Sequence, residues 1–293
     1  MYDASTDLEL EWLFCYLPST YPHQEINWKE EAAALEELGS RCHSFDMERL
    51  IEGDAAGALE DLPRGDGRLL VYRGWILNEE EYQSLEDAVT GRGYHLFTNV
   101  HQYLEASHLP NWYEKVGSLT PPAAWTWDED IDEAWELAQS LGKPPYLIKD
   151  HVKSCKEAWL EACYIPPEAG EEEFREVCQN MIERRGERFT EGIVIRPQVP
   201  LVFKTAHFSG IPLYEEYRLV FWRNQLLLAE SYNPLEESKE IVLGKNELAP
   251  FEVLGQTISS PFFTADLGRT QKGDLILIEL NDGGTSGLPP LLD

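Results

Sequence analysis

The chain has 293 residues, 43% of them hydrophobic and 26% charged, and a formal charge of -29 at pH 7. That length is ample for a large core, with two domains or one large one as the expectation, and the composition is that of a soluble globular protein. The acidic balance argues against duplex DNA, RNA and anionic membrane surfaces as general partners, since those are held by Lys and Arg. Acidity also simply keeps proteins dispersed, and it does not exclude a phosphorylated ligand. With only 24 Lys plus Arg in the chain, a local basic pocket stands out.

No apolar run approaches the length of a membrane span. The N-terminal Met1-Tyr2-Asp3-Ala4-Ser5-Thr6-Asp7 lacks a basic region followed by an apolar core, so no signal peptide is expected. The five cysteines are Cys15, Cys42, Cys155, Cys163 and Cys178. Their odd number and the lack of a C-x-x-C pair argue against a disulfide framework and against thiolate metal sites. A reducing cytoplasm is the expected location.

Taken in chain order, residues 10–17 read as a strand ended by Pro18. Residues 28–38 read as an Ala, Glu and Leu-rich helix closed by Gly39. Residues 41–45 form a short strand, and residues 68–73 a buried strand that stops at Gly74. Residues 79–90 form a helix followed by Gly91 and Gly93, and residues 94–98 another strand. Alternation of this kind predicts an α/β region with a parallel sheet. The prolines of Thr120-Pro121-Pro122 mark a boundary.

Beyond it, residues 130–141 form a helix capped by Gly142, residues 145–150 a strand, and residues 171–185 a charged amphipathic helix. Strands then follow at 192–196, 214–222 and 225–231, with a tight turn at Arg223-Asn224. A final hairpin turns at Gln271-Lys272-Gly273-Asp274. The second half is therefore expected to be α+β with an antiparallel sheet, ending in a loop or tail over 284–293. No internal repeat or low-complexity segment is present.

Residues two apart on a strand share a face. Glu279 and Asn281 therefore project together, and Asp266 on the preceding strand can reach the same face. An oxygen-rich set of this kind suits Mg²⁺ bound together with substrate phosphates; the alternative is a solvated edge strand in an acidic protein. Lys149 ends an apolar strand and Lys153 follows in Lys149-Asp150-His151-Val152-Lys153-Ser154. The pair could hold a polyphosphate as point charges or lie in a solvated loop. Arg196 and Arg218 sit within apolar strands, and a buried arginine needs an anion, either a neighbouring Glu or a ligand phosphate. Arg73 lies at the carboxyl end of a predicted parallel strand, where ligands of open α/β sheets bind. It could capture an acceptor carboxylate or pair with an acidic neighbour. No Ser-His-Asp or Cys-His relay has convincing spacing. His108 and His151 lie near motifs, but lone histidines are more often structural. Trp75, Trp112 and Trp125 read as core.

The order of these features resembles the ATP-grasp superfamily, and within it the clade named for two arginines and a lysine. The resemblance runs through 146–154, 192–201, 216–221 and 261–289, and through Val71-Tyr72-Arg73-Gly74-Trp75, His108-Leu109-Pro110-Asn111-Trp112-Tyr113 and Thr120-Pro121. It implies a Rossmann-like pre-ATP-grasp α/β domain over 1–120 and an ATP-grasp domain, binding ATP and Mg²⁺, over 121–293. Carried over by position, Lys149 and Lys153 contact the ATP phosphates. Arg196, Gln198 and Val199 line the adenine cleft. Arg218, with Lys153, acts on the transferring phosphoryl group, and Asp266, Glu279 and Asn281 hold Mg²⁺. Ser286 and Gly287 close over the acceptor, for which Arg73 is the anchor. Pro197 and Gln198 stand where the family commonly has an acidic hinge residue, and no glycine-rich phosphate loop is present.

The resemblance implies an ATP-dependent carboxylate–amine, or carboxylate–nucleophile, ligase that forms an acyl-phosphate and releases ADP. Its substrates would be small-molecule or peptide carboxylates and amines. The alternative is a non-catalytic ATP-binding assembly factor, since related cell-division-cycle proteins of this fold serve as chaperones.

Overall fold

The computed structural model describes residues 10–17, 25–206, 211–232 and 243–288. Pro18, the seven N-terminal residues named above and the tail from Pro289 onward lie outside the described residues. The chain forms two compact units: one takes the described residues up to Leu104 with 260–262 and 282–287, the other 105–259 and 263–281.

In the first unit, β1 (Leu10–Tyr16), α1 (Glu25–Glu37), β2 (Arg41–Asp46), α2 (Met47–Ile51), α3 (Ala55–Ala58), β3 (Leu69–Arg73), α4 (Glu79–Gly91), β4 (His95–Leu96) and the start of α5 (Val100–Ser107) follow in order. The four strands form one sheet ordered β2-β1-β3-β4, and every adjacent pair is parallel. The parallel sheet is what the alternation of strand and helix requires. Leu13, Phe45, Leu70 and Tyr72 from the strands pack with Tyr82, Leu85 and Val89, the apolar stripe of α4. Asn78 and Glu81 close the N-terminus of α4 as a capping box.

The second unit holds α6 (Leu109–Val116), β5 (Ala124–Trp125), α7 (Ile131–Ser140), β6 (Tyr146–Asp150), α8 (Trp159–Ala162), β7 (Tyr164–Ile165), α9 (Glu171–Arg185), β8 (Ile193–Pro197), β9 (Phe203–Ala206), β10 (Pro212–Tyr214), β11 (Glu216–Trp222), β12 (Gln225–Ser231), α10 (Lys245–Glu252), α11 (Leu254–Thr257), and most of β13 (Phe262–Arg269) and β14 (Leu275–Asp282). One sheet has the order β5-β8-β6-β7, and its pairs are antiparallel. A second has the order β12-β11-β13-β14, and β9 and β10 form a separate ribbon. Phe174, Val177, Cys178 and Met181 lie on one stripe of α9 and cover the first sheet through Tyr146, Ile148, Ile193 and Ile195. Tyr217, Leu219, Phe221, Phe263, Ala265, Leu267, Leu277 and Leu280 form the core face of the second.

Three elements depart from the sequence expectation. The strand expected over 214–222 is two strands, β10 and β11, parted at Glu215. Its carboxylate accepts from Tyr217 Oη at 2.6 Å and Arg269 Nε at 2.5 Å, and its N–H donates to Val202 O at 2.8 Å. These bonds hold its backbone off the ladder. The strand expected over 94–98 shortens to β4, because the Phe97 N–H still reaches Leu70 O at 2.8 Å but Asn99 already begins to cap α5. His108 to Tyr113, read as a signature without secondary structure, opens α6, with His108 at its N-cap and Pro110 in its first turn, where a missing N–H costs nothing.

Candidate functional site

Alternation along three strands of the second unit assembles the site. On β11, Tyr217 and Leu219 enter the core, so Glu216 and Arg218 point from the other face. On β13, Ala265 and Leu267 enter the core and Asp266 points away. On β14, Leu277 and Leu280 are both core residues although they are three apart. The period-two alternation therefore breaks between them, and Glu279 and Asn281 come onto the face that carries Asp266. The turn that joins these strands is held by the Thr270 N–H to Asp274 O at 2.8 Å and by Gly273 at φ 97°, a backbone conformation glycine adopts freely.

Arg218 and Asp266 form a two-bond fork, Nε to Oδ1 and Nη2 to Oδ2, each 2.7 Å. The guanidinium also lies 4.1 Å from the Tyr232 ring centroid. Burial alone would push Arg218 down, but the Asp266 carboxylate raises it above the ordinary arginine range. Among the described residues the two-bond partner of Arg218 is Asp266, one of the expected metal ligands, rather than the neighbouring Glu the sequence suggested.

Lys149 reaches the same face from β6. Tyr146 and Ile148 enter the core beneath α9, so Lys149 points from the opposite side. Its ammonium lies 3.3 Å from Glu279 Oε1 and donates to His151 O at 3.3 Å. Burial works against both charges of this pair. On the carboxylate, Lys149, Lys153 and Lys156 overcome burial and hold Glu279 down to about 2. On the ammonium, burial prevails against Glu279 and Asp150, and Lys149 falls below the usual lysine range.

Lys153 is exposed, and its backbone is fixed by Asp150. The Asp150 carboxylate accepts the N–H groups of Val152, at 2.7 Å, and of Lys153, and binds Arg185 Nε at 2.7 Å. Two residues at this face were not among the sequence candidates. Lys156 is exposed; desolvation at its ammonium lowers the group, but Glu279, Glu216, Tyr232 and Asp266 outweigh it and raise it. The Glu216 carboxyl is raised by burial and by Asp266 and Glu279, against Lys156 and Arg218. The spacing Lys149, Lys153, Lys156 was a visible signal for the first. Glu216, two before Arg218, was visible by alternation for the second.

Of the other expected residues, Arg196 lies close beside Glu279 and the rest fall elsewhere. Arg196 leaves β8 opposite Ile195 and is 8% exposed. It donates to Ile278 O, to Thr120 Oγ1 at 2.7 Å and to Pro121 O at 3.4 Å, and its buried Nε has no partner among the described residues. Burial pushes it down to about 10 against the pull of Glu279. Gln198 donates its backbone N–H to Pro145 O at 2.9 Å, and its side chain reaches Tyr214 Oη at 3.3 Å. Val199, half-buried, follows it outside the strand.

In the first unit, Arg73 is 2% exposed. Its Nε and Nη2 bind the two oxygens of Glu31 at 2.7 and 2.9 Å, and its Nη1 donates to the carbonyls of Gly283, at 2.6 Å, Gly284, at 3.2 Å, and Ser286, at 2.9 Å. Of the two readings left open for Arg73, the pairing with an acidic neighbour is present: Arg73 pins α1 and the Gly283–Ser286 turn to β3. Ser286 Oγ donates to Asp282 O at 2.7 Å, and Gly287 is exposed. Trp112 is buried in the core of the second unit.

The donor set on the acid face, Asp266, Glu279, Asn281 and Glu216, is all oxygen, which fits a hard cation such as Mg²⁺. Asn281 is 9% exposed. Among the described residues no three His, Cys, Asp or Glu side chains are already gathered as a metal cage. Both oxygens of Asp266 serve Arg218 and one of Glu279 serves Lys149. A site that shares its ligands with substrate phosphates does not need a closed protein cage.

The family model that matches is an ATP-grasp domain, the third family of the clade named for two arginines and a lysine. It covers residues 139–293, more than half of the chain. No curated protein matches significantly. Solved structures share the fold. The ATP-grasp ligase PsnB, complexed with a precursor peptide and AMPPNP, superposes with TM-score 0.54 at 10% identity, covering 96% of this chain and 90% of that one. D-alanine–D-alanine ligase from Bacillus anthracis gives TM-score 0.57 at 12% identity, covering 94% and 88%. N5-carboxyaminoimidazole synthetase from Staphylococcus aureus, complexed with ADP, gives 0.56 at 14% identity, covering 93% and 70%. At these identities the likeness is one of fold. Among the described residues no helix is long and apolar enough to cross a membrane. With the family model spanning the strands that carry Lys149, Arg218, Asp266 and Glu279, the chain belongs to the ATP-grasp domain family, in the third family of the two-arginine-and-lysine clade.

Proposed function

We propose that this protein is an ATP-dependent ligase that joins a carboxylate to an amine or a similar nucleophile through an acyl-phosphate, releasing ADP and phosphate. The observation that carries this reading is the Arg218–Asp266 fork beside the Lys149–Glu279 pair, basic groups held at a face of oxygen ligands. The fold neighbours include peptide and amino-acid ligases, which supports small-molecule or peptide carboxylates and amines as the substrate class.

In this reading Lys149 and Lys153 hold the phosphates of ATP. Arg218 moves from Asp266 toward the transferring phosphoryl group, and its planar fork suits two phosphoryl oxygens. Lys153 assists from the exposed side. Asp266, Glu279 and Asn281 would hold Mg²⁺. When bound, that ion neutralises charge on the phosphates. Partial burial of Glu279 and Lys149 lowers the local dielectric and strengthens their field on the substrate. Gln198 and Val199, after β8, present backbone groups to the adenine edge, with Arg196 bracing the strand. Ser286 and Gly287 lie at the acceptor. The parallel sheet of β1 to β4 serves as a Rossmann-like pre-ATP-grasp domain, with the ATP-grasp domain following; the N-terminal stretch of the first unit ends at Leu104, ahead of the boundary at 120 expected from the sequence. The expected location is the cytoplasm.

The test uses Mg²⁺-ATP and the full chain. Binding to the native state alone raises the melting temperature, and ADP should appear only when a carboxylate and an amine are both supplied. A thermal shift with no ADP release across a broad acceptor screen would favour the assembly-factor reading. No shift at all would overturn nucleotide binding.

A further inference from the structure

Lys149 has a second contact besides Glu279. Its ammonium donates to His151 O at 3.3 Å. That carbonyl also accepts the Leu109 N–H at 2.9 Å, and the His151 N–H reaches Thr190 O at 3.3 Å. The ring of His151 is fully buried. Its Nδ1 lies 2.8 Å from Glu191 Oε2, and its Nε2 lies 2.8 Å from Thr126 O.

The Thr126 carbonyl can only accept. Glu191 is held below the usual carboxylate range, chiefly by its hydrogen bond with His151. The ring is thus tied at both nitrogens. Glu191 adopts φ 61°, the left-handed region that disfavours residues with a side chain, and does so with its carboxylate on the ring. A Cβ on Gly192 would lie 2.0 Å from Thr126 O and 2.9 Å from His151 Nε2, so glycine is required for the chain to pass this close. Trp127 closes the ring edge-on at 5.3 Å between centroids. Glu191 contacts the ring, and His108, which also feels Glu191, Lys149 and Asp150, interacts with it electrostatically.

We propose that His151 is a positioning residue for nucleotide binding. Its ring, anchored at both nitrogens, fixes the carbonyl that aims the Lys149 ammonium at the acid face. The inference rests on the ATP-binding reading above and assigns to one buried side chain the pre-orientation of a phosphate contact.

The experiment measures Mg²⁺-ATP affinity by calorimetry on the full chain, with melting curves recorded in parallel. The variants are His151→Phe, which keeps a ring and loses both nitrogens, His151→Gln, which keeps a hydrogen-bonding amide, and Glu191→Gln, a half-exposed change that leaves the core intact. His151→Phe should weaken binding about tenfold under conditions where it is fully folded, and His151→Gln should recover part of the loss. In a Lys149→Met background the same changes should have no further effect on affinity. If His151→Phe does not fold, Glu191→Gln carries the comparison, and a several-fold loss confined to the Lys149 background supports the proposal. Wild-type affinity in the folded variants, or losses that add to that of Lys149→Met, would overturn it while nucleotide binding stands. A wild-type chain that binds no Mg²⁺-ATP overturns the ATP-binding reading itself.

Discussion

Arg218 shows how one residue can be held without being spent. Two bonds of 2.7 Å tie it to Asp266, and the Tyr232 ring covers it at 4.1 Å from the centroid. In the proposed reading the Asp266 carboxylate would also hold Mg²⁺, which would weaken its hold on the arginine. Lysine cannot supply the fork. Arg218→Lys should therefore retain Mg²⁺-ATP binding, lose turnover and lower stability by about 2 kcal/mol, the range for hydrogen bonds to charged groups. Urea unfolding, ATP calorimetry and ADP release on the same preparation separate these effects. Loss of ATP binding in a variant of unchanged stability would place Arg218 in ground-state binding instead.

At the scale of the element, β14 carries the decisive irregularity. Strict alternation from Leu277 would send Glu279 into the core; the break before Leu280 brings Glu279 and Asn281 to the face of Asp266. Glu279 then meets Lys149, Lys153 and Lys156, and its pKa falls from 4.5 to about 2. The sign follows from linkage. A carboxyl depressed in the folded state contributes stability above its unfolded value, and that contribution disappears as pH falls from 4.5 towards about 2. In the absence of Mg²⁺-ATP, Glu279→Gln should be less stable near neutral pH and have a shallower acid limb over that window, read as urea midpoint against pH. An acid limb as steep as the wild type's would show that other carboxylates govern it. The hairpin itself was legible from its apolar runs and the turn at Gly273. The break in alternation was not, because it depends on what packs beneath Leu277 and Leu280.

At the scale of the whole molecule, the charge of -29 sets the background against which these pairs act. Like charges oppose compaction, and salt screens them over about 10 Å at 0.1 M. The melting temperature of the nucleotide-free protein should rise as NaCl goes from about 10 mM to about 150 mM. A fall over that range would mean that local ion pairs such as Arg49 with Asp54 and Glu60 outweigh the general repulsion. The same background explains why the basic residues of the site were conspicuous in the sequence: in a chain this acidic, a lysine on an apolar strand is a departure from composition.

The sequence by itself determined the elements and the faces. The bounds of α9 and β12 were legible to the residue, and those of β6 and β8 to within one, because helix stripes and strand alternation are local properties of adjacent residues. The order of charged strands pointed to the family. Only the tertiary structure decided which charges meet. Arg218 finds Asp266 across 48 residues, and Arg73 finds the Gly283 carbonyl across 210, which makes it a pin. Lys156 and Glu216 join the site for the same reason. Nothing in the local sequence fixes a pairing between strands so far apart. Register, burial and the low dielectric of the interior select one counter-ion from many, and in a chain with 53 Asp and Glu the candidates were too numerous to separate beforehand.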